Sequence, residues 1–220
     1  MVKKLTILVA TSNPGKMLEV KDLFDEVTHC KFRLITPDEA GITLDVKEDG
    51  QTYRENASKK AQAYGRASGL IALADDSGLE VDALDGRPGL YSARYTGSNS
   101  ADALSASMTI RKLSDAARRV ALLEELKTCP RPWKARFCCA VAAAFPDGPT
   151  HITEGVCTGE IVPDERGTSG FGYDPIFQLD DPAYGGLTMA ELSLEQKNRI
   201  SHRAIAVRQA IELLEKRMDN

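Results

Sequence analysis

The sequence predicts an α/β fold, and three observations support this prediction. Apolar runs typical of buried strands alternate with stretches whose apolar residues recur at helical spacing. One apolar run, 70–74, leads directly into two adjacent carboxylates, Asp75 and Asp76, as expected where a buried strand ends. Later, 136–145 has the period of a strand, and a turn joins it to a second strand over 150–162. Its side chains on one face are Phe137, Cys139, Val141, Ala143 and Phe145. We therefore expect a mixed sheet flanked by helices in two lobes, with a candidate active site in the cleft between them.

The chain opens with a strand and a helix. Residues 5–10 are β-branched and apolar, which favours a central strand. In the turn that follows, Asn13 is a good N-cap and Pro14 suits the first helical turn. Lys16 then lies at the positive end of the helix, where an anion would be stabilised. The alternative is a lysine that is simply solvated.

A second strand and helix follow. The apolar run 32–35 predicts the strand, and a polar segment containing Glu48 leads to the helix. Thr52 begins this helix with the spacing of a capping box, and the alanine-rich stretch continues to about Ala67. Lys60 lies one turn after Asn56, so the two share a helix face. Glu48 and Lys60 are candidates for the site, and the alternative for both is an ordinary solvated side chain.

Asp75 and Asp76 are the strongest candidates for chemistry. Two neighbouring carboxylates repel unless a cation lies between them or one stays protonated, so the pair indicates a divalent metal or a general base. The carboxyl edge of an open α/β sheet is also where ligands bind. The alternative is a helix cap, in which Asp76 or Ser77 accepts hydrogen bonds from free backbone N–H groups.

The glycine-rich segment 167–177 is a candidate for binding a flat ligand. Glycines on both sides of Phe171 leave room for a ligand to stack on its ring, and Asp174 can accept a ring N–H or hydroxyl. The alternative is a tight turn whose aromatic side chains pack inward.

The rest of the chain is expected to be helical. Residues 100–127 have an irregular helical pattern. Near the start of the last helix, Lys197, His202 and Arg203 are donors that suit recognition of oxygen atoms, although a charged helix start is the alternative. Its predicted buried stripe consists of Ile200, Ala204, Val207, Ile211, Leu214 and Met218.

Composition excludes several classes of protein. A net charge of −4 and a pI near 5.5 argue against a general binder of nucleic acids or membrane surfaces. No apolar run approaches the roughly 18 residues of a transmembrane helix, so we expect a cytoplasmic protein. Five cysteines without a C-x-x-C pair favour reduced thiols over disulfides or a zinc site.

Five motifs in this order resemble the inosine triphosphate pyrophosphatase family, also called non-canonical purine NTP pyrophosphatases or XTP/dITP diphosphatases. They are the segments 11–16, 74–79, 88–95, 170–177 and 201–203, which span nearly the whole chain. The resemblance implies Mg²⁺-dependent hydrolysis of XTP, ITP and dITP to the monophosphate and pyrophosphate. It also implies an elongated homodimer in which each chain forms a single two-lobed domain.

The resemblance implies a role for each matching residue. Asp76, Lys16 and Lys60 correspond to catalytic residues, and Asp76, Glu48 and Asp75 correspond to the metal-linked carboxylates. Since inosine and xanthine carry oxygen at C6 where adenine carries an amine, a buried Arg203 donor would favour them. The implied substrate contacts are Thr11, Ser12, Asn13, Pro14, Gly15, Lys16, Ser77, Phe171, Gly172, Tyr173, Asp174, Lys197, His202 and Arg203.

Two features depart from the family pattern. The region 98–119 is longer than expected and lacks an asparagine before Leu122, and Lys47 stands where a second acid is common. Two other functions remain open from the residues. One is a related pyrophosphatase for modified pyrimidine or methylated nucleotides, and the other is a non-catalytic nucleotide-binding regulator, which has no need of both a metal set and a base.

Overall fold

A computed structural model of the chain describes residues 4–28, 31–97 and 114–218. The strands in these residues are β1 (Leu5–Val9), β2 (Phe32–Ile35), β3 (Ile71–Val81), β4 (Trp133–Ala144), β5 (Thr150–Ile161) and β6 (Phe177–Leu179). They form one sheet in the order β2-β1-β3-β4-β5-β6. β1 pairs in parallel with β2 and β3, whereas β5 and β6 are antiparallel, which confirms the predicted mixed sheet.

The α-helices of the described residues are α1 (Pro14–Thr28), α2 (Tyr53–Ser68), α3 (Asp115–Leu126), α4 (Leu194–Ile200) and α5 (His202–Met218). None of them is long and apolar enough to cross a membrane. Local caps set the ends of two helices, as predicted. The Asn13 side chain accepts from the N–H groups of Gly15 and Lys16 at 2.9 and 3.3 Å, and Thr52 accepts from Glu55 at 3.2 Å.

The chain divides into two compact units. Unit 1 comprises residues 1–77, 138–156 and 198–220, and unit 2 comprises residues 78–137 and 157–197. The elongated two-lobed shape, the cleft and the single domain over 1–220 stay predictions.

In unit 1 the sheet is covered on both faces. On one face Leu73 packs with the apolar side chains of α1 and α5, and on the other Ala72 and Ala74 pack with alanines of α2. Because side chains alternate along a strand, Asp75 continues the face of Leu73 and Asp76 continues the face of Ala74. The two adjacent carboxylates therefore point towards different helices.

Unit 2 has its own buried residues. The rings of Phe137 and Phe177 lie 4.5 Å apart between centroids. On α3, Leu122 and Leu126 are buried, which confirms the helical pattern over the second part of 100–127. The first part of that prediction, 100–113, lies outside the described residues.

Two predicted boundaries are wrong. β3 does not end at Asp75 but continues to Val81, because Leu79 and Val81 extend its buried apolar pattern. Its parallel neighbour β1 does end at Val9, opposite Leu73, so the carboxylates still lie beyond the end of that strand. Ile200 ends α4 and does not belong to α5, which begins after Ser201.

Candidate active site

Asp75 is a buried carboxylate shared by two cations of unit 1. Its Oδ2 lies 2.9 Å from Lys16 Nζ and 3.1 Å from Arg203 Nε. Burial alone would raise the pKa of Asp75, but the two cations overcome this and hold its pKa well below the usual range. These contacts therefore favour the ionised form of Asp75.

Arg203 is the centre of this network. Its guanidinium, on a side chain only 3% exposed, donates to Glu19, to Asp75 and, at 3.0 Å, to Ser77 Oγ. Burial disfavours the charge, but Glu19 and Asp75 together raise the pKa of Arg203 above its ordinary value. The guanidinium thus joins α5 to α1 and to β3 within unit 1.

Asp76 has a different environment from its neighbour. Its Oδ2 accepts from Asn56 Nδ2 at 3.0 Å and its Oδ1 accepts from the Ser77 N–H at 3.0 Å. Burial raises the pKa of Asp76, and the Asn56 hydrogen bond and Lys60 oppose this only in part. A carboxylate with a raised pKa is better matched to work as a general base near neutral pH.

Lys60 and Glu48 form an ion pair next to Asp76. Gly50 N–H donates to Asn56 Oδ1 at 2.7 Å, which ties the acidic loop to α2 and brings Glu48 to Lys60. Burial lowers the pKa of Lys60, but the negative charges of Asp75 and Glu48 raise it by a larger amount, so the net shift is upward. The prediction that Asn56 and Lys60 share a face is confirmed, and the loop that carries Glu48 contacts the same face of α2.

A second group of predicted residues lies in unit 2. Lys197 Nζ donates to Asp174 Oδ2 at 2.8 Å and lies 5.7 Å from the centre of the Phe171 ring. The same carboxylate oxygen accepts from the Phe171 N–H at 3.0 Å. A Cβ at Gly170, where φ is +78°, would lie 2.0 Å from Asp174 Oδ2, so only glycine fits there.

The other predicted substrate contacts are distributed over both units. At the start of α1, Thr11 accepts from the Asn13 N–H at 3.2 Å, so Thr11 to Gly15 form a capped turn around Pro14. Tyr173 Oη donates to the Ser92 carbonyl at 2.9 Å within unit 2. His202 is buried at the start of α5 in unit 1. The substrate roles of these residues, and of Ser12 and Gly172, stay predictions.

Sequence reasoning missed two residues of the unit 1 site. Glu19 follows Lys16 by one helical turn and is 5% exposed, so a charged residue on the buried face of α1 was the available signal. Asn56 was placed on the correct face but given no partner. Both pair with residues far away along the chain, which spacing alone does not reveal.

The donor set of unit 1 fits Mg²⁺. Among the described residues no group of three or more His, Cys, Asp or Glu side chains forms a metal cage. Mg²⁺ does not require one, since it is commonly held by one or two carboxylates together with water and phosphate oxygens. Asp76 and Glu48 interact as like charges, which a cation would relieve. Here four carboxylates outnumber three cations, the groups being Glu19, Glu48, Asp75 and Asp76 against Lys16, Lys60 and Arg203.

Unit 1 combines buried carboxylates, lysines in ion pairs with carboxylates, and a capped helix start beside a parallel strand. These features define an α/β protein with a candidate site for a metal-bound phosphate ester or anhydride. Comparison with known proteins identifies a family within this class. A model described as Ham1 family matches residues 7–213. A relative from Desulforamulus reducens, named dITP/XTP pyrophosphatase, is 42% identical over 211 residues, 96% of each chain.

Two solved structures agree with this match. The Ham1 protein of Staphylococcus aureus is 38% identical with a TM-score of 0.77, and a HAM1 protein of Coxiella burnetii is 36% identical with a TM-score of 0.78. Each comparison covers 96% of this chain and 99% of the other. The chain belongs to the Ham1 family, which confirms the resemblance predicted from the motifs.

Proposed function

We propose that this protein hydrolyses non-canonical purine nucleoside triphosphates (XTP, ITP and dITP) to the monophosphate and pyrophosphate. The name of the Desulforamulus relative supports the reaction and the substrate class. The observation that carries the proposal for this chain is the partly buried Asp76 carboxylate, held by Asn56 beside the Lys60–Glu48 pair. Cleavage of a phosphoanhydride needs a carboxylate that directs water and cations that stabilise the developing charge.

In this mechanism Asp76 orients the attacking water and accepts its proton. Its raised pKa makes the carboxylate more basic, and the hydrogen bond from Asn56 fixes its orientation. Lys16 and Lys60 exchange their present carboxylate partners for phosphate oxygens when the substrate binds. Both lysines then stabilise charge on the transferring phosphoryl group.

We propose Asp76 and Glu48 as the residues that hold Mg²⁺. The ion would supply positive charge against the triphosphate and polarise the reacting phosphoryl group. Asp75 was predicted as a third ligand, but its contacts with Lys16 and Arg203 support a role in holding those cations. Its metal role stays a prediction.

We propose that Phe171, Asp174 and Lys197 contact the purine base. Their contacts with one another support this role, because they arrange an aromatic face, an acceptor and a donor together in unit 2. Base reading by His202 and Arg203 stays a prediction, since the Arg203 nitrogens already donate to side chains of unit 1.

Product analysis tests the proposal. ITP, dITP and XTP are incubated with the protein and Mg²⁺, and GTP, ATP, modified pyrimidine and methylated nucleotides are the comparison set. We expect pyrophosphate and a monophosphate from the first three and little turnover of ATP. Release of orthophosphate and a nucleoside diphosphate would contradict the proposal. Nucleotide binding without turnover would favour a non-catalytic regulator.

We also propose that the protein is a cytoplasmic homodimer with no nucleic-acid or membrane partner, as the family resemblance implies. Sedimentation analysis gives the oligomeric state directly. A monomer at micromolar concentration would contradict the dimer without affecting the catalytic proposal.

A further inference from the structure

The backbone of Gly172 is held at both its N–H and its carbonyl by side chains from the first two turns of α3. The Gly172 N–H donates to Asp115 Oδ2 at 2.6 Å, and the Gly172 carbonyl accepts from an Arg119 guanidinium nitrogen at 2.8 Å. Gly172 has a φ of +63°, so its backbone adopts a conformation that other residues rarely take. The two hydrogen bonds therefore hold the turn between Phe171 and Asp174 against α3.

Both groups that hold Gly172 are themselves fixed. The Arg119 guanidinium forms two parallel hydrogen bonds to Glu165, Nε to Oε1 and the second terminal nitrogen to Oε2, each 2.8 Å long. Its side chain is only 11% exposed, and its hydrogen bond lowers the pKa of Glu165. Asp115 accepts from Arg118 through its other oxygen. Bidentate pairs of this kind fix a guanidinium in direction as well as in position.

The held turn lies between two of the proposed base contacts. Phe171 precedes Gly172, and Asp174 follows it by two residues and accepts from the Phe171 N–H. A displacement of the Gly172 backbone should move Phe171 and the Asp174 carboxylate together, because the hydrogen bond from the Phe171 N–H links them across the turn.

We propose that Arg119 and Asp115 are positioning residues that set the affinity for the purine base by fixing the 170–174 turn. This inference rests on the proposed function, because it takes Phe171 and Asp174 as base contacts. Neither residue touches the reacting phosphates in this scheme. Their removal should therefore weaken substrate binding more than it slows the chemical step.

The test compares Arg119→Ala with the parent for ITP hydrolysis and for inhibition by inorganic tripolyphosphate, which has no base. We expect KM for ITP to rise about tenfold, as for loss of one charged hydrogen bond. We expect kcat and the tripolyphosphate inhibition constant to stay within about twofold. Arg119→Lys should give an intermediate KM, because an ammonium can reach one acceptor but cannot form the bidentate pair.

A matched control is Arg136→Ala, which removes another arginine of unit 2 that bridges carboxylates, Glu80 and Asp82. This variant should keep the parent KM. Hydrogen exchange of peptides covering 170–174 should increase in Arg119→Ala and not in the control.

The outcomes separate the inference from the proposed function. If the parent releases pyrophosphate from ITP but Arg119→Ala keeps its KM, the inference is wrong and the function stands. Equal rises in KM and in the tripolyphosphate constant also overturn the inference, since they place the defect at the phosphates. A parent that releases no pyrophosphate from ITP overturns both.

Discussion

Replacing Arg203 with methionine should destabilise the protein strongly. The change removes a cation that contacts Glu19, Asp75 and Ser77 at a site where the paired side chains are 3–6% exposed. Lys16 still faces Asp75, but Glu19 loses the cation it contacts through Arg203. The stability loss should therefore come mainly from buried negative charge that has lost its partner.

The expected magnitude follows from this burial. Removing one partner of a buried ion pair costs about 3–5 kcal/mol. For a chain of this length each kcal/mol lowers Tm by roughly 2–4 °C, so Tm should fall by about 6–20 °C. The lowered pKa of Asp75 stabilises the fold above the ordinary carboxyl pKa, and this stabilisation disappears as pH falls through the folded-state value. The difference in Tm between parent and variant should thus narrow below about pH 4.

Thermal unfolding followed by circular dichroism measures this effect. Arg208→Met is the matched control, because Arg208 lies on the same helix and pairs with Glu26 at the surface, where the side chains are 33% and 52% exposed. It should cost no more than about 1 kcal/mol. An Arg203→Met protein whose Tm lies within about 2 °C of the parent would refute the reasoning. The same variant tests whether Arg203 reads the base. If Arg203 donates to the C6 oxygen, its loss should reduce the free-energy preference for turnover of ITP over ATP by about 1–3 kcal/mol.

Two further substitutions have definite expected results. Asp76→Asn should lower kcat on the order of 10²-fold, as for loss of a general base, and a few-fold effect in a steady-state assay would reduce Asp76 to a structural cap. The raised pKa of Asp76 destabilises the fold by an amount that grows as pH rises above the ordinary carboxyl pKa and is complete above the folded-state pKa. Because asparagine does not ionise, Tm of the variant at pH 8 should not fall below that of the parent. Gly170→Ala should lower stability and raise KM for ITP, since its Cβ would meet Asp174 Oδ2 at 2.0 Å. Gly86→Ala, with a φ of +81° but no atom within 4 Å of the added Cβ, is the control for backbone strain alone, and equal losses of Tm in the two variants would contradict the steric argument.

Features that depend on residues close together in the sequence were predictable. Asn13 and Thr52 define helix starts because each cap bonds a backbone group two or three residues away. The strand 32–35 matches β2 because its apolar ends are buried. The motif order of the whole chain was sufficient to predict the family.

Features that depend on distant partners were not predictable in the same way. Two acids after an apolar run were interpreted as the end of a strand, yet Asp75 and Asp76 remain inside β3 because partners from other elements satisfy them. The break at Ser201 was hidden because Ile200 and Ala204 keep helical spacing across it. The pairing of Glu19 with Arg203 joins residues 184 positions apart, and no spacing rule encodes it.

The opposite orientation of Asp75 and Asp76 has a mechanical consequence. The two side chains share one peptide bond, so the ion pairs that immobilise Asp75 also fix the backbone from which Asp76 projects. Glu19, which belongs to the Arg203 network on the other face of the strand, is thereby coupled to the Asp76 carboxylate through the backbone that joins the two aspartates. The position of the proposed base therefore depends on Arg203 and Glu19, which lie on the opposite side of the strand from it.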